Sequence, residues 1–349
     1  MKINKISLAV LAVAAAGLIA GCKERTPNVA PEPDTEVQSA LDAAWATYVV
    51  SDIAMMCGYL GVNDYDDHPW KHIEGTPFVN QTKAVRDPSE ERLSMVFNQT
   101  KCQDGRLRHG EIRMPYKPDP INNPYANPNS NYFHEFGFAG QITLSDYRVD
   151  SVLITMGPKS PTLAPERGYI INRLPSNEED PDKTKLKWEI KSKFHFQHPY
   201  DTTGGKDITW EGTMFMILDN TADDSVFNRD REPAIRWDLA VCGYYGEITG
   251  MIGKTPYKLS IKESQMLIRD FSCAPDRVRG VTLDGQNNLG QLDLRHHPFV
   301  KGVASFTIGD KYPRQIYFGN ESNSTLKWQC DNTGEVMIKG IAYRVNFRK

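Results

Sequence analysis

The sequence lacks the short motifs that identify the common enzyme classes. Its six cysteines contain no C-x-x-C pair, which excludes a zinc ribbon and a thioredoxin-like redox site. No G-x-S-x-G, H-E-x-x-H or G-x-G-x-x-G motif occurs. A catalytic triad can still assemble from residues that lie far apart in the chain, because triads are defined by geometry. Motif content therefore identifies no enzyme activity, and a non-enzymatic protein is the favoured prediction.

An excess of positive charge is also absent. The 349 residues include 41 Lys and Arg against 44 Asp and Glu, a formal net charge of −3. A nucleic-acid partner would require a strongly basic face that neutralises phosphates. We therefore expect no nucleic-acid partner.

Long apolar runs are scarce, and the one at the N-terminus is short. Lys2 and Lys5 precede an apolar segment that ends in the sequence Leu18–Cys22. The segment is shorter than the roughly 20 residues that a membrane-spanning helix needs. A basic start, an apolar run and small residues before a cysteine are typical of a secretory signal that ends in a lipobox. We predict a signal peptide over residues 1–21, with lipid attached to Cys22.

This prediction sets the expected location and one partner. The residues that follow the lipidated cysteine, 22–34, are rich in proline and poor in apolar side chains, which indicates a flexible tether. Acyl chains on Cys22 would bind membrane lipid. The expected location is the cell envelope, at the outer membrane, facing either the periplasm or the cell surface.

One helix is predicted, within residues 35–62. Thr35 and Gln38 fit a capping box, and apolar residues recur at helical spacing up to Cys57, where Gly58 and Gly61 are expected to end the helix. The spacing predicts an apolar stripe that packs against a sheet. The alternative is a helix that binds a partner.

The rest of the chain has the period-two alternation of β-strands. In residues 186–196, for example, Leu186, Trp188 and Ile190 alternate with charged residues. Such strands, separated by turn sequences, predict a mainly β fold: antiparallel β-sandwich or barrel-like units preceded by one N-terminal helix. A proline-rich acidic loop near residue 165 divides the prediction into a first β unit, 63–165, and a second, 166–349.

Five cysteines remain after Cys22, and an oxidising compartment favours two disulfides and one free thiol. Two stretches echo each other: Phe97-Asn98 followed by Cys102, and Phe318-Gly319 followed by Cys330. A second echo repeats cysteine, two arginines and glycine at similar spacing. Its members are Cys102, Arg106, Arg108 and Gly110, and Cys273, Arg277, Arg279 and Gly280. The disulfide candidates are Cys57, Cys102, Cys273 and Cys330, with the connectivity left open.

The unit of an aromatic residue, a cysteine, a turn and a basic strand resembles a broad group of uncharacterised β-rich lipoproteins from Bacteroidota-type bacteria. Here it covers Phe97–Ile112 and Phe318–Val345. The resemblance implies a lipoprotein location and a β architecture, and it implies no activity.

Candidate sites for metals and ligands are few. His68 and His72 are four residues apart, but Pro69 breaks the helix that would bring them together, so no metal site and no cofactor is predicted. The aromatic residues Trp70, Tyr125 and Tyr132 fall in predicted loops and are the candidates for contact with a ligand. The favoured function is an anchored lipoprotein with a structural role, or one that binds a glycan or an outer-membrane protein. The alternative is a glycan-acting or other hydrolase with carboxylates from separate strands.

Overall fold

A computed structural model of the chain describes residues 35–62, 83–87, 92–102, 106–115, 133, 138–156, 169–173, 186–199, 205–218, 240–270, 299–319 and 333–347. Residues 36–349 form one compact unit. The described part contains one α-helix, α1 (Gln38–Val62), and a single turn of 3-10 helix, Glu263–Gln265.

The described residues form fifteen strands of one sheet in which every pair of neighbours is antiparallel. The strands are β1 (Lys83–Asp87), β2 (Arg92–Lys101), β3 (Leu107–Pro115), β4 (Ala139–Val149), β5 (Val152–Met156), β6 (Tyr169–Arg173), β7 (Leu186–Gln197), β8 (Ile208–Leu218), β9 (Val241–Ile252), β10 (Thr255–Ile261), β11 (Leu267–Asp270), β12 (Phe299–Ile308), β13 (Arg314–Phe318), β14 (Thr333–Ile338) and β15 (Ile341–Asn346).

Strand order largely follows the chain. The sheet runs β1-β2-β3-β4-β5-β7-β8-β9-β10-β12-β13-β14-β15, with β6 paired to β4 and β7, and β11 paired to β9 and β12. The predicted mainly β class, with antiparallel strands and one N-terminal helix, is confirmed. The predicted boundary near residue 165 lies outside the described residues. Strands from before and after it pair within this sheet: β4 with β6, and β5 with β7.

The helix packs against the inner face of the sheet, where it contacts strands from both halves of the chain: β2, β4, β7, β8, β9 and β12. Its residues 43–58 are all buried, on every side of the helix. The prediction of a single apolar stripe was therefore wrong. Most of the side chains on every side of the helix are small or apolar, as expected for a helix that is enclosed by a core.

The ends of the helix also differ from the prediction. The expected capping box at Thr35 and Gln38 is replaced by Glu36, whose carboxylate accepts hydrogen bonds from the Ser39 N–H (2.7 Å) and hydroxyl. Gly58 and Gly61 lie inside the helix and do not end it. Gly58 is buried, and tertiary packing there outweighs the roughly 1 kcal/mol helix penalty of a glycine.

In the described part of the chain, buried residues of strands β2 to β15 form the core together with the helix. Along β7, Leu186, Trp188, Ile190, Phe194 and Phe196 are buried, and the residues between them are partly exposed, with the single exception of Ser192. The ring of Trp188 stacks on Phe133, and its indole N–H donates to the Phe133 carbonyl at 2.8 Å. Trp188 and Trp210 are both fully buried in this core.

Candidate functional site

A cluster of charged side chains lies in the middle of the core, around α1. Asp52 is 1% exposed, and its two carboxylate oxygens accept hydrogen bonds from Arg108 on β3 (2.5 Å) and Arg269 on β11 (2.8 Å). Both arginines are also buried. We call Asp52, Arg108 and Arg269 the buried arginine cluster.

Two further helix residues complete the contacts of the cluster: Tyr48, one turn before Asp52, and Ser51, directly before it. The Tyr48 hydroxyl accepts from Arg108 at 3.4 Å, and the Ser51 hydroxyl accepts from Arg269 at 3.3 Å. The guanidinium of Arg269 also lies over the Tyr48 ring, 5.3 Å from its centroid, a cation–π geometry. Spacings of three and four residues place these helix side chains on one side, facing the two arginines.

A third buried arginine extends the cluster toward a hairpin. The guanidinium of Arg106 lies 5.1 Å from the centroid of the Tyr48 ring and forms an ion pair with Asp150 at 2.6 Å. Asp150 also accepts from the backbone N–H of Leu107 at 3.0 Å. Asp150 and Ser151 form the two-residue turn between β4 and β5, and both have positive φ, as a type I′ turn requires.

The pKa shifts in and around the cluster concern Arg269 and two neighbouring phenols. Burial acts to lower the pKa of Arg269, but the charge and hydrogen bond of Asp52, together with Tyr48 and Tyr244, raise this pKa overall. Burial also raises the pKa of Tyr147 and Tyr244, two phenols close to the cluster. These shifts move the pKa values of Arg269, Tyr147 and Tyr244 further from pH 7, which disfavours proton exchange by these three groups. The arrangement positions the helix and does not resemble acid–base machinery.

Two partly exposed histidines pair with aspartates. His195 Nε2 lies 3.1 Å from Asp207, and His109 Nε2 lies 3.2 Å from Asp146. Asp146 also accepts from Arg148 at 2.8 Å, and this contact is the main reason that its pKa is lowered. Within the described ranges, no group of three or more His, Cys, Asp or Glu side chains is arranged to hold a metal ion.

An aromatic pair lies on the outer face of the sheet, where polar residues are usual. Phe215 on β8 and Tyr245 on β9 are half-buried and stack at 4.9 Å between ring centroids. The ammonium of Lys187 lies 5.1 Å from both centroids and 3.8 Å from Glu263. Partial burial raises the pKa of Tyr245, so its hydroxyl stays protonated. We call Phe215, Tyr245 and Lys187 the outer aromatic platform.

Most residues predicted to carry function lie outside the described residues. These are Cys22, Trp70, Tyr125, Tyr132, Cys273 and Cys330. Cys57, one of the disulfide candidates, is described: it is a free thiol at a fully buried position of α1, and burial raises its pKa. No disulfide joins Cys57, Cys102 and Cys242, the cysteines that the structure describes.

The buried arginine cluster was not predicted, although the sequence contained two signals for it. Asp52 is the only charged residue between Ala43 and Val62, in a helical segment whose other residues are uncharged. Arg108 shares its phase along β3 with the buried residues Ile112 and Met114. Because charged residues are almost never buried without a partner, an aspartate and an arginine in buried phases are a predictable pair.

Comparison with known proteins found no matching family model, no matching curated protein and no matching solved structure. In the described part of the chain, no helix has both the length and the apolar character needed to cross a membrane.

Proposed function

We propose that the protein is a lipoprotein anchored to the outer membrane through Cys22, with a body that has a structural or binding role and no enzymatic activity. The anchor is supported by the lipobox-like sequence Leu18–Cys22 and the proline-rich segment that follows it. A compact unit begins at Glu36, two residues after the predicted end of the tether.

The observation that carries the non-enzymatic proposal is the use of the buried carboxylates. Asp52 is bound by Arg108 and Arg269, and Asp150 is bound by Arg106. A general acid or nucleophile must instead face substrate with a pKa suited to its role. These carboxylates hold the helix and the hairpin in place, so they support a rigid scaffold that displays its outer surface.

The outer aromatic platform is the best candidate for a binding surface in the described part of the chain. Partly exposed aromatic rings supply contact area at low entropy cost, and they can stack on sugar rings or on partner side chains. Lys187 and Glu263 at its edge can donate and accept hydrogen bonds. The platform would act together with the predicted loop contacts Trp70, Tyr125 and Tyr132.

Acylation is tested by metabolic labelling with palmitate. The wild-type chain should incorporate label and remain with the membrane fraction, and a Cys22→Ala variant should do neither. Equal labelling of the two chains would refute the anchor.

Binding through the platform is tested with a double variant, Phe215→Ala/Tyr245→Ala, against purified envelope polysaccharides and envelope proteins. Loss of two central aromatic side chains should weaken binding by at least about tenfold, since such anchors each contribute more than about 1 kcal/mol. The matched control, Thr213→Ala/Thr249→Ala, changes two outer-face residues of the same strands and should bind normally. Equal binding by all three proteins would exclude the platform.

A hydrolase that acts on glycans is the alternative function. It would require two carboxylates on separate strands, about 5–5.5 Å or 6.5–9.5 Å apart, facing one substrate. Incubation of the purified protein with envelope polysaccharides distinguishes the two proposals. Release of reducing ends would support the hydrolase, and binding without turnover would support the lipoprotein as a binding protein.

A further inference from the structure

The helix begins at one end of the strands, beside the turns that connect them, and the residues at its start are bound there. The Glu36 carboxylate forms an ion pair with Lys311 at 3.2 Å, and its backbone carbonyl accepts from Arg314 at 3.1 Å. Both residues belong to the β12–β13 hairpin, and Arg314 is buried. The chain that comes from Cys22 therefore enters the compact unit beside this hairpin.

The turns of neighbouring hairpins lie next to the β12–β13 hairpin at the same end of the sheet. The Gly309 N–H donates to the Pro256 carbonyl, and the Gly253 N–H donates to the Asp207 carbonyl, both at 2.8 Å. On the other side, Lys339 in the β14–β15 turn lies over the Tyr312 ring, 3.4 Å from its centroid. We call residues 205–207, 253–254, 309–313 and 339–341 the entry rim.

The entry rim combines exposed lysines with exposed apolar side chains. Lys206, Lys254, Lys311 and Lys339 are exposed. Three large apolar residues of the described chain are exposed, and two of them, Tyr312 (45%) and Ile341 (54%), lie on this rim. The acidic residues of the rim are Asp310, which is exposed, and Asp207, which pairs with His195.

We infer that the entry rim lies against the bilayer surface and that its lysines bind anionic lipid headgroups. The inference rests on the proposed acylation of Cys22. Residues 23–35 would span about 45 Å when fully extended and roughly 20 Å as a flexible coil, so the rim stays close to the lipid. Tyr is enriched at membrane–water interfaces, and Lys is attracted to anionic lipid. A lysine near an anionic surface strengthens binding about fivefold.

The test uses a chain that begins at residue 22, with a polyhistidine tag in place of the acyl group, held on vesicles by a nickel-chelating lipid. This design makes the result independent of natural acylation, which the palmitate experiment measures separately. Each lysine is acetylated by a water-soluble reagent and quantified by mass spectrometry. Vesicles rich in phosphatidylglycerol are compared with vesicles of phosphatidylcholine.

The expected result is protection of Lys254, Lys311 and Lys339 on phosphatidylglycerol vesicles, by about fivefold or more relative to phosphatidylcholine. Lys191 and Lys193, on the outer face of β7, serve as internal references and should react equally on both. Equal acetylation of all five lysines on the two kinds of vesicle would overturn the inference, and so would protection confined to Lys191 and Lys193.

Charge reversal provides a second measurement. The Lys254→Glu/Lys339→Glu variant should lose the protection of Lys311 and keep the circular dichroism of the wild type. The matched Lys191→Glu/Lys193→Glu variant should keep the protection. If the rim variant protects Lys311 as well as the wild type does, the lysines do not bind the headgroups and the inference fails.

Discussion

Substitution of Asp52 by alanine should be among the most destabilising changes in the described part of the chain. Removal of the carboxylate leaves Arg108 and Arg269 buried without the charge that lies between them. Loss of one partner of a buried ion pair typically costs about 3–5 kcal/mol. That is a large part of the roughly 5–15 kcal/mol by which natural proteins are stable.

The expected shift in melting temperature follows from the size of the folded unit. Residues 36–349 form that unit. A chain of about this length has an unfolding entropy near 0.65 kcal/mol/K, so a loss of about 4 kcal/mol lowers Tm by roughly 6 °C. Thermal unfolding followed by circular dichroism measures the shift. Asp52→Asn should give a similar loss, because the amide keeps the shape of the side chain but lacks its charge.

Two further variants distinguish the stability cost of buried arginine charge that lacks Asp52 from the stability cost of a simple cavity. Asp52→Ala combined with Arg108→Met and Arg269→Met should recover part of the lost stability, because apolar replacement removes the unpaired charges. Asp146→Asn changes an exposed aspartate that pairs with Arg148 and should cost less than about 1 kcal/mol. If the triple variant were less stable than Asp52→Ala alone, or if Asp146→Asn cost as much, the explanation by buried arginine charge would be wrong.

Three other predictions concern the helix start, a close backbone contact and a buried thiol. Glu36 has a lowered pKa in the folded chain, so its contribution to stability is present near neutral pH and is lost as the pH falls below about 4. Glu36→Gln should therefore reduce the acid sensitivity of denaturant unfolding, and an unchanged pH profile would contradict this. Gly110→Ala should cost more than about 2 kcal/mol, because φ is +88° and a Cβ would lie 2.2 Å from the Asp146 carbonyl oxygen. Gly340→Ala, with φ +80° and no neighbour within 4 Å, should cost about 1 kcal/mol, and equal losses would refute the role of the contact. Cys57 should resist alkylation by iodoacetamide in the native chain and react after denaturation, because burial raises its pKa and blocks access. Peptide mass spectrometry measures its modification, and rapid native alkylation would show that the position opens.

Strand alternation made the β class predictable from sequence. Along β7 the alternation of apolar and charged residues matched the observed burial at nearly every position. The same local rule could not reveal that all the strands share one sheet, because pairing across loops depends on contacts far apart in the chain. The alternation also does not predict the positions of Phe215 and Tyr245. Their aromatic side chains lie on the outward-facing positions of their strands, where polar residues are expected.

The helix shows why a correct local prediction can miss its setting. Trp45 and Tyr48 fit the spacing of a stripe, and alanines fill many of the remaining positions. A surface helix would carry charge on its other side, and this segment has only Asp42 and Asp52. Counting the charges on the helix, as well as its apolar residues, would have predicted burial on all sides.

Burial on all sides raises the question of what fixes the position of the helix along its own axis. Apolar contacts are non-directional, and a shift by one turn would exchange one set of small apolar side chains for another. Ion pairs with hydrogen-bond geometry are directional, so Asp52 can meet Arg108 and Arg269 together in only one position. Glu36, just before the first residue of the helix, contacts Lys311 and Arg314. Glu36 and Asp52 are sixteen positions apart, so the helix is held by charged contacts at two separate points. These contacts define where the helix begins relative to the sheet, and therefore where the chain enters the folded unit.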